Sequence, residues 1–177
     1  MAFPFLCDPA RRAEAQARGY DPEWLIDRYI QLTNDALSGR PEGMTAGIHL
    51  CRGNNQGKWV SEGGYDYVAE RLFGGLEVDV YFLEYDSERA GGFEPLRHMP
   101  AGAEVVLGLI STKTPEMERP SAVIRHIDAA SRFVSLDRLA VSPQCGFASV
   151  EEGNPVTPED QRRKLELVVE VAEYVWG

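Results

Sequence analysis

No apolar run in the 177-residue sequence approaches the roughly 20 residues that a membrane-crossing helix needs. The opening stretch, Met1-Ala2-Phe3-Pro4-Phe5-Leu6-Cys7-Asp8, has no basic region and only a brief apolar segment, so it does not read as a secretory signal. Positive charge is scarce: 18 Lys and Arg stand against 28 Asp and Glu, a formal net charge of -10. Nucleic acid is thereby excluded as a main partner, because neutralising phosphates needs a basic surface. Cysteine is scarce too, with only Cys7, Cys51 and Cys145. Without an export signal, three cysteines point to a reducing, cytoplasmic setting and to thiol or metal chemistry rather than a disulfide framework. There is no low-complexity stretch and no interdomain linker, so residues 1–177 are expected to form a single domain.

What is present is an alternation. Near-continuous apolar runs at Ala2–Cys7, Thr45–Leu50, Val78–Leu83, Glu104–Ile110 and Arg138–Ser142 read as five strands. Amphipathic helical segments or helical loops follow them. Asp21-Pro22-Glu23 and Thr157-Pro158-Glu159-Asp160 combine a capping side chain, a proline in the first turn and early acids, a strong helix start. Buried strands alternating with helices mean a parallel sheet, either open or curled into a barrel. Ligand-type residues cluster just past the strands: Asp8, His49 and Cys51, Glu84, Lys113, and Cys145. Such folds build their sites at the C-terminal ends of the strands.

His49 and Cys51 are two apart on a strand, so their side chains point the same way. If the sheet curls, Glu84 and Cys145 join them. One imidazole, two thiolates and one carboxylate make a tetrahedral zinc set. Three anionic ligands around Zn²⁺ leave about one negative charge, an electron-rich centre suited to holding a substrate thiol as thiolate rather than to making hydroxide. Each residue also has an ordinary reading. Cys145 is equally a small buried hydrophobe, and Glu84 a solvated strand-end acid. His98 and His126 read as surface residues, Lys113 as a solvated loop lysine, and Arg52 and Asn54 as loop-shaping residues.

Taken together, Ile48-His49-Leu50-Cys51, Val80-Tyr81-Phe82-Leu83-Glu84-Tyr85-Asp86 and Leu139-Ala140-Val141-Ser142-Pro143-Gln144-Cys145-Gly146-Phe147 resemble the C-terminal catalytic barrel of cobalamin-independent methionine synthase, especially its short methionine synthase II-like members. The resemblance covers essentially the whole chain. It implies a (β/α)₈ TIM-barrel fold, of which the five strands would be the last five βα units, a partial barrel. It implies zinc held by His49, Cys51, Glu84 and Cys145, and methyl transfer from a methylated folate to homocysteine or a related thiol; relatives alkylate other thiols such as coenzyme M. The family's early acidic pair before proline appears here as Cys7-Asp8-Pro9, leaving Asp8 as the candidate for binding the substrate's amine. The family's histidine after its next-to-last strand has no counterpart in Gly108-Leu109-Ile110-Ser111-Thr112-Lys113.

The expectation is therefore a zinc-dependent thiol S-methyltransferase taking a small-molecule thiol and an alkyl donor. The alternative is a non-catalytic partial barrel serving as a zinc-binding or assembly subunit. A metal-free, decarboxylase-like relative is disfavoured, because that chemistry has no use for soft ligands. Five parallel strands would leave open edges, so a homo-oligomer, or pairing with a chain carrying the front of the barrel, is expected.

Overall fold

The computed structural model describes residues 2–177. Three helices come first: α1 (Ala2–Cys7), α2 (Pro9–Ala17) and α3 (Pro22–Leu37). Then come the strands, each followed by an α-helix except β2, whose connection to β3 holds only short 3-10 turns: β1 (Gly47–Leu50), α4 (Ala69–Gly75), β2 (Val80–Glu84), β3 (Glu104–Ile110), α5 (Pro120–Ala130), β4 (Leu139–Pro143) and α6 (Pro158–Trp176). The strands form one parallel sheet in the order β1-β2-β3-β4.

One expected strand is a helix. Ala2–Cys7 forms α1, so the sheet of the described residues has four strands rather than five. A six-residue apolar run carries too little periodicity to separate a strand from a buried helical turn. Here Phe3, Leu6 and Cys7 recur at helical spacing and are each under 5% exposed, and Phe3 meets Tyr29 of α3 edge-on. The helix starts agree with the sequence. Asp21 accepts the Glu23 N–H at 3.0 Å with Pro22 in the first turn. Thr157 and Asp160 close a capping box on α6.

The sheet has two unlike faces. Leu50, Tyr81, Leu83, Val105, Leu107, Leu109 and Leu139 are at most 5% exposed and form the core with the helices. On the other face, His49, Phe82, Val106 and Ala140 lie in register across all four strands. That row is only partly covered, and Phe82 is 39% exposed. Parallel sheets are usually covered on both faces, so an open row on one face is a notable feature of this chain.

Neighbouring residues on β2 should therefore respond very differently to truncation. Leu83→Ala is expected to cost about 2–5 kcal/mol, and Phe82→Ala well under about 1 kcal/mol. Denaturant midpoints of the two variants test this; equal losses would contradict the assignment of faces.

Candidate metal centre

The parallel register carries four donor side chains to one end of the sheet. His49 is the third residue of β1, and Cys51 follows the strand directly. Glu84 ends β2, and Cys145 lies two residues past the end of β4. Gly108 of β3 sits between them: a Cβ there would meet Leu83 O at 2.9 Å and Gln144 Cα at 3.3 Å. Its bare backbone lets the end of β4 approach β2. β3 contributes no ligand of its own.

The donor atoms of His49, Cys51, Glu84 and Cys145 all lie within 4.8 Å of one another. The two Sγ atoms are 3.2 Å apart. Cys145 Sγ is 2.7 Å from Glu84 Oε1 and 3.8 Å from His49 Nε2. His49 Nε2 is 3.4 Å from the same Glu84 oxygen. Ordinary zinc bond lengths give tetrahedral edges of about 3.4–3.8 Å for such a set. The imidazole edges to Cys145 and Glu84 already fit, and the sulfur–sulfur and Cys145–Glu84 edges need to open by roughly 0.6–0.9 Å. By donor chemistry and by size, these residues fit a zinc ion.

Protons are distributed unequally among the four. A hydrogen bond from Cys145, aided by His49, outweighs burial and lowers Cys51 to about 5. Cys145 is pushed far up, first by its donor role toward Cys51, then by burial and the Glu84 charge. The Cys51 sulfur and the Glu84 carboxylate raise His49 to about 9 against burial. Burial pushes the Glu84 carboxyl up, but His49, Lys113, Cys145 and the Arg52 N–H together bring it below its ordinary value. Near neutrality the metal-free cluster is thus an imidazolium, one thiolate, one thiol and one carboxylate.

Other residues fall into place around this centre. Asp8 lies outside the cluster: its oxygens accept the Ala10 N–H at 2.9 Å and the Glu62 N–H at 3.2 Å, tying the start of α2 to the loop after β1. Cys7 is a core residue, its thiol raised to about 11 by burial. Arg52 is fully buried; its guanidinium stacks over Tyr65 at 4.3 Å and bonds the Gly63 and Ala90 carbonyls, while its N–H reaches Glu84 Oε2 at 3.2 Å. Asn54 shapes its loop, accepting the Gly57 N–H at 3.0 Å.

The residue that the sequence undervalued is Lys113, only 2% exposed. Its Nζ donates to Gln144 Oε1 at 2.8 Å, lies 4.0 Å from Glu84 Oε2 and 4.6 Å from the centroid of the Trp59 ring. A solvated loop lysine and this one share the same local sequence. The available signal was its position just past the end of β3.

Residues 66–174 match the model of the cobalamin-independent synthase catalytic domain. The chain belongs to that family. It is 51% identical over 92% of its length to the uncharacterized protein YxjG of Bacillus subtilis (strain 168), and 49% identical over 93% to YxjH of the same organism. Among solved structures, it is 38% identical with a TM-score of 0.70 over 90% of its length to a Listeria monocytogenes protein provisionally titled a vitamin-B12 independent methionine synthase. A B12-independent methionine synthase from Shewanella sp. W3-18-1, solved with selenomethionine, shares the fold at TM-score 0.64 and 23% identity over 85% of the chain. This cobalamin-independent synthase domain spans 43–46% of the length of those four proteins. Its four-stranded parallel sheet is part of the (β/α) barrel architecture of its family.

The uneven proton distribution is testable in metal-free protein. Thiolate absorbance should show one thiolate present above about pH 5 and lost below it, while the His49 imidazole stays protonated until about pH 9. Limited iodoacetamide at pH 7 should label Cys51 and spare Cys145. Equal labelling of the two would overturn the assignment.

Proposed function

We propose that this chain carries the metal centre of a zinc-dependent thiol S-methyltransferase of the methionine synthase type, with His49, Cys51, Glu84 and Cys145 as the ligands. The carrying observation is the convergence of these four donors, from the ends of three parallel strands, at separations within about an ångström of the edges of a zinc tetrahedron. Zinc bound by such an anionic set would hold a substrate thiol as its nucleophilic thiolate at neutral pH. Family membership supports homocysteine or a related thiol as acceptor and a methylated folate as donor; another thiol such as coenzyme M suits the same ligand set.

The chain's own residues supply orientation and charge balance. Cys51 and Cys145 contribute the soft donors, and the Gly53 N–H, 3.3 Å from Cys51 Sγ, fixes the direction of that sulfur. His49 turns its Nε2 toward Glu84 Oε1. Glu84 offers Oε1 to the ligands while Oε2 is held by the Arg52 N–H. Lys113 sets a positive charge behind the carboxylate, offsetting the excess negative charge of the ligand set. Asp8, buried at the start of α2, is proposed to help receive the amine of an amino-acid thiol.

The uncovered row of His49, Phe82, Val106 and Ala140 favours a second element in this proposal. Further βα units, parallel to the free edges of β1 and β4, would close the sheet toward a barrel and cover the donors. A second copy of the chain, or a chain with the front of the barrel, would supply them. Light scattering that reports only a stable species of 19.7 kDa, with no added partner, would count against this closure.

Metal analysis of freshly purified protein should give one zinc per chain. Cys51→Ser or Cys145→Ser should abolish it, a loss larger than the roughly 10–100-fold typical of supporting residues. X-ray absorption at the zinc edge should gain a sulfur neighbour when the acceptor thiol is added, and a screen of thiols by this signal would name the acceptor. Protein without zinc, folded and unable to take it up, would rule the proposal out.

A further inference from the structure

The sequence has three lysines, Lys58, Lys113 and Lys164. Lys58 is exposed, and the other two are at most 2% exposed. Lys164 stands three residues before Leu167 and seven before Val171, on the stripe that α6 turns to the core. An ammonium is almost never fully buried unless it is paired. Its partners here lie in the connection from β3 to α5. Lys164 Nζ donates to the Glu116 carbonyl at 2.5 Å and lies 3.1 Å and 3.3 Å from the two Glu118 oxygens. Those contacts match its three donors.

Glu118 has a second partner. Its Oε1 also accepts the Ser111 N–H at 2.8 Å, closing the connection on itself just past β3. Lys113 lies inside that closed segment. Its own N–H is 3.3 Å from Ser111 Oγ, and the Thr112 carbonyl is held by Asn154 Nδ2 at 2.8 Å. The Lys113 side chain then runs inward, with Nζ 2.8 Å from Gln144 Oε1 and 4.0 Å from Glu84 Oε2. Burial raises the Asp86 carboxyl, and the same ammonium draws it back down in part. A continuous run of contacts thus leads from α6 through Glu118 and Ser111 to Lys113 and the candidate centre.

Hydrophobic contact does not require this pair. Leu167 and Val171 already seat α6 against the core. Apolar side chains of similar volume often match a buried ion pair in stability. They could not accept the Ser111 N–H, which would be left without its partner.

We propose that Lys164 and Glu118 are positioning residues: the pair fixes the β3–α5 connection and thereby holds Lys113 at Gln144 and beside Glu84, behind the donor cluster. Neither residue touches a candidate ligand. Through them the outer helix layer sets the geometry of the centre. The inference rests on the proposed charge-balancing role of Lys113.

Amine acetylation of the metal-free protein under native conditions, read residue by residue by mass spectrometry, tests this without zinc. Lys58 is the internal reference, and wild-type Lys113 should be labelled far more slowly. Lys164→Met should speed labelling of Lys113 relative to Lys58 on the order of tenfold, as release of a locally held segment allows. Lys164→Arg should restore most of the protection. Leu167→Ala, on the same face of α6, destabilises by a cavity without touching the connection. Well below its thermal midpoint it should leave the Lys113 ratio unchanged. If Lys164→Met does not fold, Glu118→Ala, which removes the acceptor, decides by the same ratio. Unchanged protection of Lys113 in both variants would overturn the proposal, and so would an equal gain in Leu167→Ala, which marks general loosening. The route to the centre is read from zinc affinity by chelator competition. Lys164→Met should change it in the same direction as Lys113→Met, and the double variant should match Lys113→Met alone. Additive effects would show that Lys164 does not act through Lys113. Wild-type protein that takes up no zinc, with the labelling as expected, would sink the zinc reading and leave the positioning pair standing.

Discussion

Removing a carboxylate from water is among the most costly acts of folding unless partners replace the lost hydration. Glu84 is fully buried, and the candidate centre is built around answering that cost. Each partner comes from a different stretch: His49 from β1, the Arg52 N–H from the loop after it, Lys113 from beyond β3, and Cys145 from beyond β4. Those groups hold the acid ionised in spite of burial. Because they arrive from all four strand ends, the carboxylate ties the C-terminal edge of the sheet together. The sheet brings the donors close, and the acid makes their closeness favourable.

The loop between β1 and α4 follows from the same constraint. It must run over the strand ends without placing bulk between the ligands and Lys113. Gly53, Gly57 and Gly63 all have positive φ there, and a Cβ on any of them would strike a neighbour at 2.6 Å or less. Arg52 anchors the loop from inside, stacked on Tyr65 and bonded to the carbonyls of Gly63 in the same loop and Ala90 beyond β2. Asp8 anchors it from the other side through the Glu62 N–H. One polar, glycine-rich stretch thus becomes a lid over Lys113, with Trp59 as the surface that the ammonium rests against.

The parallel sheet was legible because β3 is a mostly apolar seven-residue stretch with clear borders, and the structure has it at the same residues, Glu104–Ile110. The starts of α3 and α6 were legible because capping is local chemistry, decided within four residues. The four candidate ligands could be grouped from sequence because a parallel sheet gathers its strand ends. Ala2–Cys7 was misread because its length is ambiguous and its fate depends on packing against Tyr29 and its neighbours. Lys113 was misread for a deeper reason. Its burial depends on Trp59, Glu84 and Gln144, which lie 54, 29 and 31 residues away. Nothing in Ser-Thr-Lys-Thr announces partners at that distance.

Both faces of the sheet bear on what the centre can do. On the helix side, close packing fixes the strands and hence the donor positions. On the other side, His49 and Phe82 stand next to each other in register and remain partly open to solvent. Water at the ligands raises the local dielectric and weakens the attraction among His49, Cys51, Glu84 and Lys113 on which the charge distribution rests. Covering the row would therefore do more than hide Phe82. It would strengthen every interaction around Glu84 on which the charge distribution of the cluster rests. Closure of the sheet and the chemistry of the centre are in this sense one problem: the face that needs covering is the face on which the donors stand.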